Sequence, residues 1–571
     1  MDIERVTKMK KANWKIQKKI VAIAAALMLA FTGCAGAEAA AGSETGSGSN
    51  TQAVTTAYNA AGKSEQFTER DLSGEYDEAA ALRISLNGNS AEVSAEGTGT
   101  TSADVSIDGS TITIQSEGTY IFTGTLTDGM IIVEADDSAK VQIVLDGAEI
   151  TSKTSAALYV RSADKVFVTT AEGTENTLAN GGTFTAIDDS NVDGAVFAKD
   201  DITFNGNGVL TVTSPAGHGI VGKDDVKIAG GTITVTAAKH GIQANDSARF
   251  AEATVNITAG TDGVHVSDNA DAEEGTASDS YFYIADAALT IEAGDDGIHA
   301  DAQANIEGGS INVTGSYEGI EALDIEISGG DIDVTASDDG LNAAGGFSDG
   351  GTDGKINISG GSTHVQAGGD GIDSNGSVEI SGGTTIVEGP TQGDTSVIDF
   401  NANGSITGGT FIGTGGAGMA SNFSSAENQG LIAVSVGSQA AGETVTLKDA
   451  DGNVIAEQTP SLDYEVVYIS TADLQQGGTY TLTAGTYSEN IELTDAIYST
   501  LSGGMGGGKG GNAGMHGGKG GMRGDMSGEN GQGGSRGMHG GPMQEQDDQQ
   551  DDFGGQPSAD DSAGGDQPQQ I

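Results

Sequence analysis

The chain is poor in the residues that staple, kink or flatten a protein. Its 571 residues include one Cys, one Trp and six Pro, against 92 Gly. A single Cys excludes an internal disulfide framework, so stability has to come from stacking, to which bound cations could add by offsetting charge repulsion. Basic residues are scarce too: 25 Lys and Arg face 82 Asp and Glu, a formal charge of −57. That field opposes nucleic-acid phosphate and anionic lipid, and a polyanionic ligand could be held only through bridging cations. With Trp14 as the one Trp, a flat aromatic platform for stacking a ligand is weakly provided.

What is present begins with a leader. Lys8, Lys10, Lys11, Lys15, Lys18 and Lys19 precede an apolar run over 20–31, then Thr32, Gly33 and Cys34. Basic, apolar and small residues in that order form a secretory signal, and the run is short for a membrane span. Gly33 before Cys34 resembles the bacterial lipoprotein pattern, in which that Cys becomes the lipidated N-terminus. Residues 1–33 are therefore expected to be removed. The protein is expected to be exported and anchored at the outer face of the cell membrane, with Cys34 as its one membrane contact. Residues 34–75, rich in Ala, Gly, Ser and Thr, read as a flexible tether.

The most informative pattern is a Gly followed by an aliphatic residue at Gly219, Gly241, Gly263, Gly297, Gly319, Gly340 and Gly371, with steps of 22, 22, 34, 22, 21 and 31 residues. A step near 22 that lengthens and returns to phase means one structural unit per repeat, with insertions at a tolerated corner. The unit parses into three short strands and three corners, as in Ile325, Ile327, Gly329, Gly330, Ile332, Val334, Asp339, Gly340 and Leu341. Three strands per coil predict an all-β, right-handed parallel β-helix over 76–424, with Ile220, Ile242, Val264, Ile298, Ile320, Leu341 and Ile372 as one internal ladder. Over 425–500 the period gives way to hairpin spacing, read as a small antiparallel, sandwich-like capping module. Residues 501–571, rich in Gly, Met, Gln and Asp, read as disordered.

If the glycines stack, the residues beside them form columns. One place before each Gly stand His218, His240, Asp262, Asp296, Glu318, Asp339 and Asp370; two places after stand Val221, Gln243, His265, His299, Glu321, Asn342 and Asp373. Coils about 4.8 Å apart let carboxylates of neighbouring coils share one ion bonded at about 2.3–2.6 Å. Calcium is thus the expected cofactor, held by Asp262, Asp296, Glu318, Glu321, Asp339, Asn342, Asp370 and Asp373, with Asp295 and Asp338 adding ligands at the same corner. The competing reading is that Asp-Gly pairs serve turns alone. Insertions at 267–279 and 345–354 fall on the same side and either frame a binding edge or are tolerated growth. Asp200 with Asp201 and Asp224 with Asp225, each after a Lys, read as surface Lys/Asp pairing rather than a second calcium corner. Asp449, Asp451 and Asn453 mimic a calcium loop, but Gly452 is misplaced and a hairpin turn is expected. Met515 with His516 and Met538 with His539 are soft donors in the tail.

No catalytic assembly stands out. A β-elimination lyase for polyuronates would need calcium and an Arg or Lys base. Lys239, Arg249 and Lys355 are the bases near the edge, and none sits among paired acids of its own coil.

Gly118, Thr119 and Tyr120 with Gly124, Thr125 and Leu126, the phrase from Val144 to Gly147, and Glu172, Gly173, Thr174, Glu175, Asn176, Thr177 and Leu178 resemble the clostridial family of carbohydrate-binding domain-containing proteins. The Asp-Gly-Ile coils resemble it too, and the likeness covers about 80–500. What it implies is a calcium-containing right-handed β-helix, similar to pectate lyases in shape, displayed on the cell and binding cellulose and acidic pectin without known cleavage. His218 and His240 stand where acids stand later. The expected function is thus a monomeric, non-catalytic, surface-displayed protein whose partner is polygalacturonate or cellulose. The alternatives are a structural surface protein or adhesin without sugar ligand, and a calcium-dependent polysaccharide lyase.

Overall fold

The computed structural model describes residues 62–268, 278–344, 354–390 and 395–501. From Leu158 to Thr414 each coil contributes one strand to each of three parallel stacks. One stack runs Leu158–Ser162, Gly194–Ala198, His218–Gly222, Ile242–Ala244, Val264–Val266, then the starts of Ile298–Ile306 and Ile320–Ile327, and Leu341–Ala343 and Ile372–Ser374. The second passes through Lys165–Thr170, Asp201–Gly206, Asp225–Ile228 and Ser247–Phe250, and the third through Glu175–Asn180, Val209–Ser214 and Thr232–Ala237. All three continue coil by coil in register, which is a parallel β-helix.

The register follows from the repeat. Ile220, Ile242, Val264, Ile298, Ile320, Leu341 and Ile372 pair in that order and are all fully buried. Burying each such side chain is worth about 1.5–3 kcal/mol. The glycine before each is required by close approach. A Cβ on Gly319 would lie 2.3 Å from the Gly340 carbonyl oxygen, and one on Gly241 2.7 Å from that of Gly263. The corners therefore lie over one another.

The tether expected through residue 75 is corrected at its C-terminal end, while 34–61 lies outside the described residues. Helix α1 (Lys63–Gln66) and helix α2 (Glu69–Leu72) pack on the second stack. Thr68 and Asp71 form a capping box, and Asp71 is fully buried against Lys165, Lys227 and Thr203. Four-residue helices carry too little periodicity to be seen in a sequence.

At the other end, strand Thr410–Gly415 exposes an edge that strand Tyr464–Ser470 pairs with, antiparallel, before pairing Leu431–Gln439. The sheet thus continues into the C-terminal module, which adds a four-stranded antiparallel sheet of Val445–Lys448, Val454–Gln458, Thr479–Ala484 and Tyr487–Glu492. Pairing an open solenoid edge removes its exposed backbone donors and acceptors. Asp449 Oδ1 accepts from Asp451 N–H and Asn453 N–H, closing a hairpin turn.

Glu388 ties this module to the coils. It is 2% exposed and accepts from Gln458 Nε2 at 3.0 Å, from the Ser461 N–H at 2.8 Å and from the Ser461 hydroxyl, with His364 Nε2 at 3.5 Å. Burial pushes its carboxyl up, but the bonds from His364, Ser461 and Gln458 prevail and hold it at about 2. A depressed folded value means the contribution is present above the ordinary 4.5 and fades as pH falls toward 2. Glu388→Ala should cost about 3 kcal/mol near neutrality, because it strands buried donors. Denaturant midpoints of both proteins at neutral pH and near pH 2 check this: the gap should close in acid.

Candidate functional site along the stacked corners

The column after each Gly is in register through Val221, Gln243, His265, His299, Glu321, Asn342 and Asp373. The column before each Gly is also stacked. Gly241 N–H donates to the Asp262 carbonyl, Gly263 to Asp296, Gly297 to Glu318, Gly319 to Asp339 and Gly340 to Asp370.

Turn chemistry accounts for one oxygen of Asp262, Asp339 and Asp370. Asp262 Oδ1 accepts from Asp296 N–H at 3.2 Å, Asp339 Oδ1 from Asp370 N–H at 2.6 Å, and Asp370 Oδ1 from Ser396 N–H. One oxygen thus caps the backbone of the next coil. The other oxygen is left for the neighbouring column: Asp262 Oδ2 lies 2.5 Å from His265 Nδ1, and Asp296 Oδ2 lies 3.4 Å from His299 Nδ1.

Three groups bring donor atoms within 4.8 Å of one another: His240 with Asp262 and His265, Asp296 with His299 and Glu321, and Asp370 with Asp373 and Asp399. Of the residues expected from sequence, Asp370 and Asp373 come together with a third carboxylate, and Asp296 meets Glu321 across His299. Asn342 donates to Glu318 Oε2 at 2.8 Å. Asp339 stands in its column beside Asp370.

Asp262 joins imidazoles rather than acids, so an all-oxygen calcium shell is not what surrounds it. Asp295 and Asp338 belong to none of the three groups. Asp295 is exposed, and Asp338 bonds the Tyr317 hydroxyl, raising Tyr317 to about 12.

The electrostatics separate along the edge. Burial, reinforced by Glu321 and Asp296, pushes Glu318 up to about 9. Burial also raises Asp339 to about 7 and Asp370 to about 8, with neighbouring carboxylates adding to both, and burial and Asp399 put Asp373 at about 6. Asp262 goes the other way. Burial would raise it, but its bonds to His240 and His265 hold it well below the usual range. Burial opposes charge on His299, yet Asp296, Asp301 and Glu321 raise it well above the ordinary imidazole value.

Two features were missed from sequence. Asp399 occupies the next coil's corner, where Val397 replaces Gly: the Gly371 N–H donates to the Ser396 carbonyl and Ile372 bridges Ile398. The signal was the recurrence of Ile372-Asp373 as Ile398-Asp399. The second is a stack of four imidazoles, His218, His240, His265 and His299, with centroids 4.9, 4.2 and 4.9 Å apart.

Elsewhere, Asp225 pairs with Arg249 at 3.0 Å rather than with Lys223, whose ammonium lies over the Phe197 ring. Arg249 lies on the second stack, away from the corners, where it also donates to the Gln66 carbonyl. Lys355 Nζ lies 3.9 Å from Glu326. Cys34, His516, His539 and most of both insertions fall outside the described residues.

Fold and edge define a parallel β-helix that presents oxygen- and nitrogen-rich columns on one side. Residues 108–352 match the family described as carbohydrate-binding domain-containing protein. A relative of that description from Acetivibrio thermocellus is 39% identical over 128 residues, 22% of this chain. The match spans 45% of that relative, less than half its length. A solved structure described as the polysaccharide lyase-like protein from C. thermocellum, gadolinium derivative, aligns at 29% identity over 44% of this chain and 94% of its own, with a TM-score of 0.37.

Proposed function

We propose that this protein binds acidic plant cell-wall polysaccharide of the polygalacturonate class, without cleaving it, through calcium held on the late coils of the stacked corners. The observation that carries the reading is the meeting of Asp370, Asp373 and Asp399 from adjacent coils, with donor oxygens within 4.8 Å of one another. This donor set fits calcium, a hard cation served by carboxylate oxygens, and the ion's remaining positions would be open to a uronate carboxylate. A chain of formal charge −57 has no other means of holding a polyanion at this edge.

Crystalline cellulose is the weaker candidate. Among the described residues Tyr317, 48% exposed, is the one aromatic side chain that stands out as a large exposed hydrophobic, and one ring makes no platform. Non-cleavage is supported at Arg249, one of the candidate bases, which is engaged by Asp225 and Gln66 on another face. Export and lipidation at Cys34 would display the edge outside the cell.

Sedimentation of the full chain with insoluble pectate and with cellulose, with and without chelator, tests the reading. Retention on pectate should be lost with chelator and restored by calcium. Retention that survives chelation, or none in calcium, overturns it, and release of unsaturated uronide would make the protein a lyase.

A further inference from the structure

The corner edge changes donor chemistry along its length. Late coils present carboxylates, whereas the earlier ones present imidazoles, and the change falls between His299 and Glu321. At the imidazole end Asp262 is 4% exposed and lies between two rings, with Oδ2 at 2.5 Å from His265 Nδ1 and 3.2 Å from His240 Nδ1.

His240 Nδ1 has several polar neighbours. It lies 3.3 Å from the Asp262 backbone nitrogen, 2.9 Å from Thr261 Oγ1 and 3.2 Å from Asp262 Oδ2. In one tautomer Nδ1–H donates to Oδ2; in the other Nδ1 accepts the Asp262 N–H, turns its lone pair toward Oδ2 as well, and so offers that nitrogen and that oxygen together to a cation. A further imidazole is stacked on this ring. The His218 ring stacks on His240 with centroids 4.9 Å apart, is 5% exposed, and its Nδ1 has no hydrogen-bond partner.

We infer that His240, Asp262 and His265 form a binding site for a borderline divalent cation of the zinc class, separate in ligand chemistry from the all-carboxylate group at Asp370, Asp373 and Asp399. Two imidazole nitrogens and one carboxylate oxygen are a donor set that zinc accepts with a fourth position open, and calcium prefers oxygen. His240, a corner residue that departs from the acidic pattern, thereby acquires a reason. The inference stands independently of the sugar-binding reading.

Cobalt(II) serves as the probe because its visible d–d bands report coordination that zinc conceals. The chelator-stripped full chain should develop these bands on titration with cobalt, zinc should abolish them, and excess calcium should leave them. His516→Gln with His539→Gln removes the tail imidazoles and should change nothing. His240→Gln with His265→Gln should erase the bands and weaken cobalt binding by at least roughly 100-fold, beyond the ~10–100-fold cost of losing a supporting group. X-ray absorption of the zinc-loaded tail variant provides a readout that does not depend on the core variant folding. An imidazole-containing shell at about 2.0–2.1 Å is expected. An all-oxygen shell, bands that persist without His240 and His265, bands lost with the tail histidines, or displacement by calcium would each overturn the site.

Discussion

Asp71→Ala should destabilise the protein by about 3–5 kcal/mol and release the segment from Lys63 to Gly74 from the second stack. Asp71 is fully buried, with Oδ1 at 2.6 Å from Lys165 Nζ and Oδ2 at 3.6 Å from Lys227 Nζ. Both lysines are themselves at most 9% exposed, so truncation removes the carboxylate that contacts both buried ammonium groups, the costly way to break an ion pair. Further bonds depend on the same docking. Asn205 Nδ2 donates to the Asp71 and Ser73 carbonyls, and Arg249 Nη1 to that of Gln66. Hydrogen exchange of residues 62–75 should rise sharply in the variant while the late coils stay protected.

The pH dependence follows from the same group. Burial would raise the Asp71 carboxyl, but Lys227 and Lys165 outweigh it and hold it far below the ordinary 3.8. A depressed folded value means that the stabilisation is present above 3.8 and is lost as pH falls below it. Acid should therefore detach this segment in the parent protein, and no such transition should remain in Asp71→Ala.

The second large effect has opposite signs with and without metal. At a pH above about 8, where both carboxyls are ionised, Asp370→Asn with Asp373→Asn should stabilise the calcium-free protein by about 2 kcal/mol, roughly half of the ~4 kcal/mol between two unit charges 4 Å apart at a surface-like dielectric. Asn at 370 keeps a carbonyl oxygen for the Ser396 N–H, so the turn is retained. The parent protein should gain about 2.7 kcal/mol when calcium reaches 100 times its dissociation constant, and the variant should gain nothing. Thermal scans of both proteins in chelator and in calcium resolve the crossing. A variant that is less stable in chelator would mean that these carboxylates serve the turn alone.

The stacking of the corners was legible because glycine is demanded twice over, by the next carbonyl and by the apolar side chain beneath it. A Cβ on Gly319 would meet both Gly340 O and Val334 Cγ1 at 2.3 Å. An aliphatic residue after such a Gly has one place to go, so the ladder and both columns could be read from spacing. The imidazole stack could not. His218 and His240 stand one place before their glycines, His265 and His299 two places after theirs, and side-chain direction brings these two columns onto one stack. The docked N-terminal segment was illegible for another reason: two four-residue helices have no period, and the meaning of Asp71 lies in lysines on distant coils.

By itself, the sequence determined that this chain coils in parallel, which residues enter the ladder and which backbone positions stand over one another, because a 22-residue step with an obligatory small residue admits one register. The tertiary structure decided which donor atoms meet. Asp262, Asp339 and Asp370 each give one oxygen to the next coil's N–H, and whether a corner carboxylate also faces an imidazole or a second carboxylate depends on the coil above. Local spacing cannot encode that pairing, since it is fixed only when neighbouring coils close to contact distance.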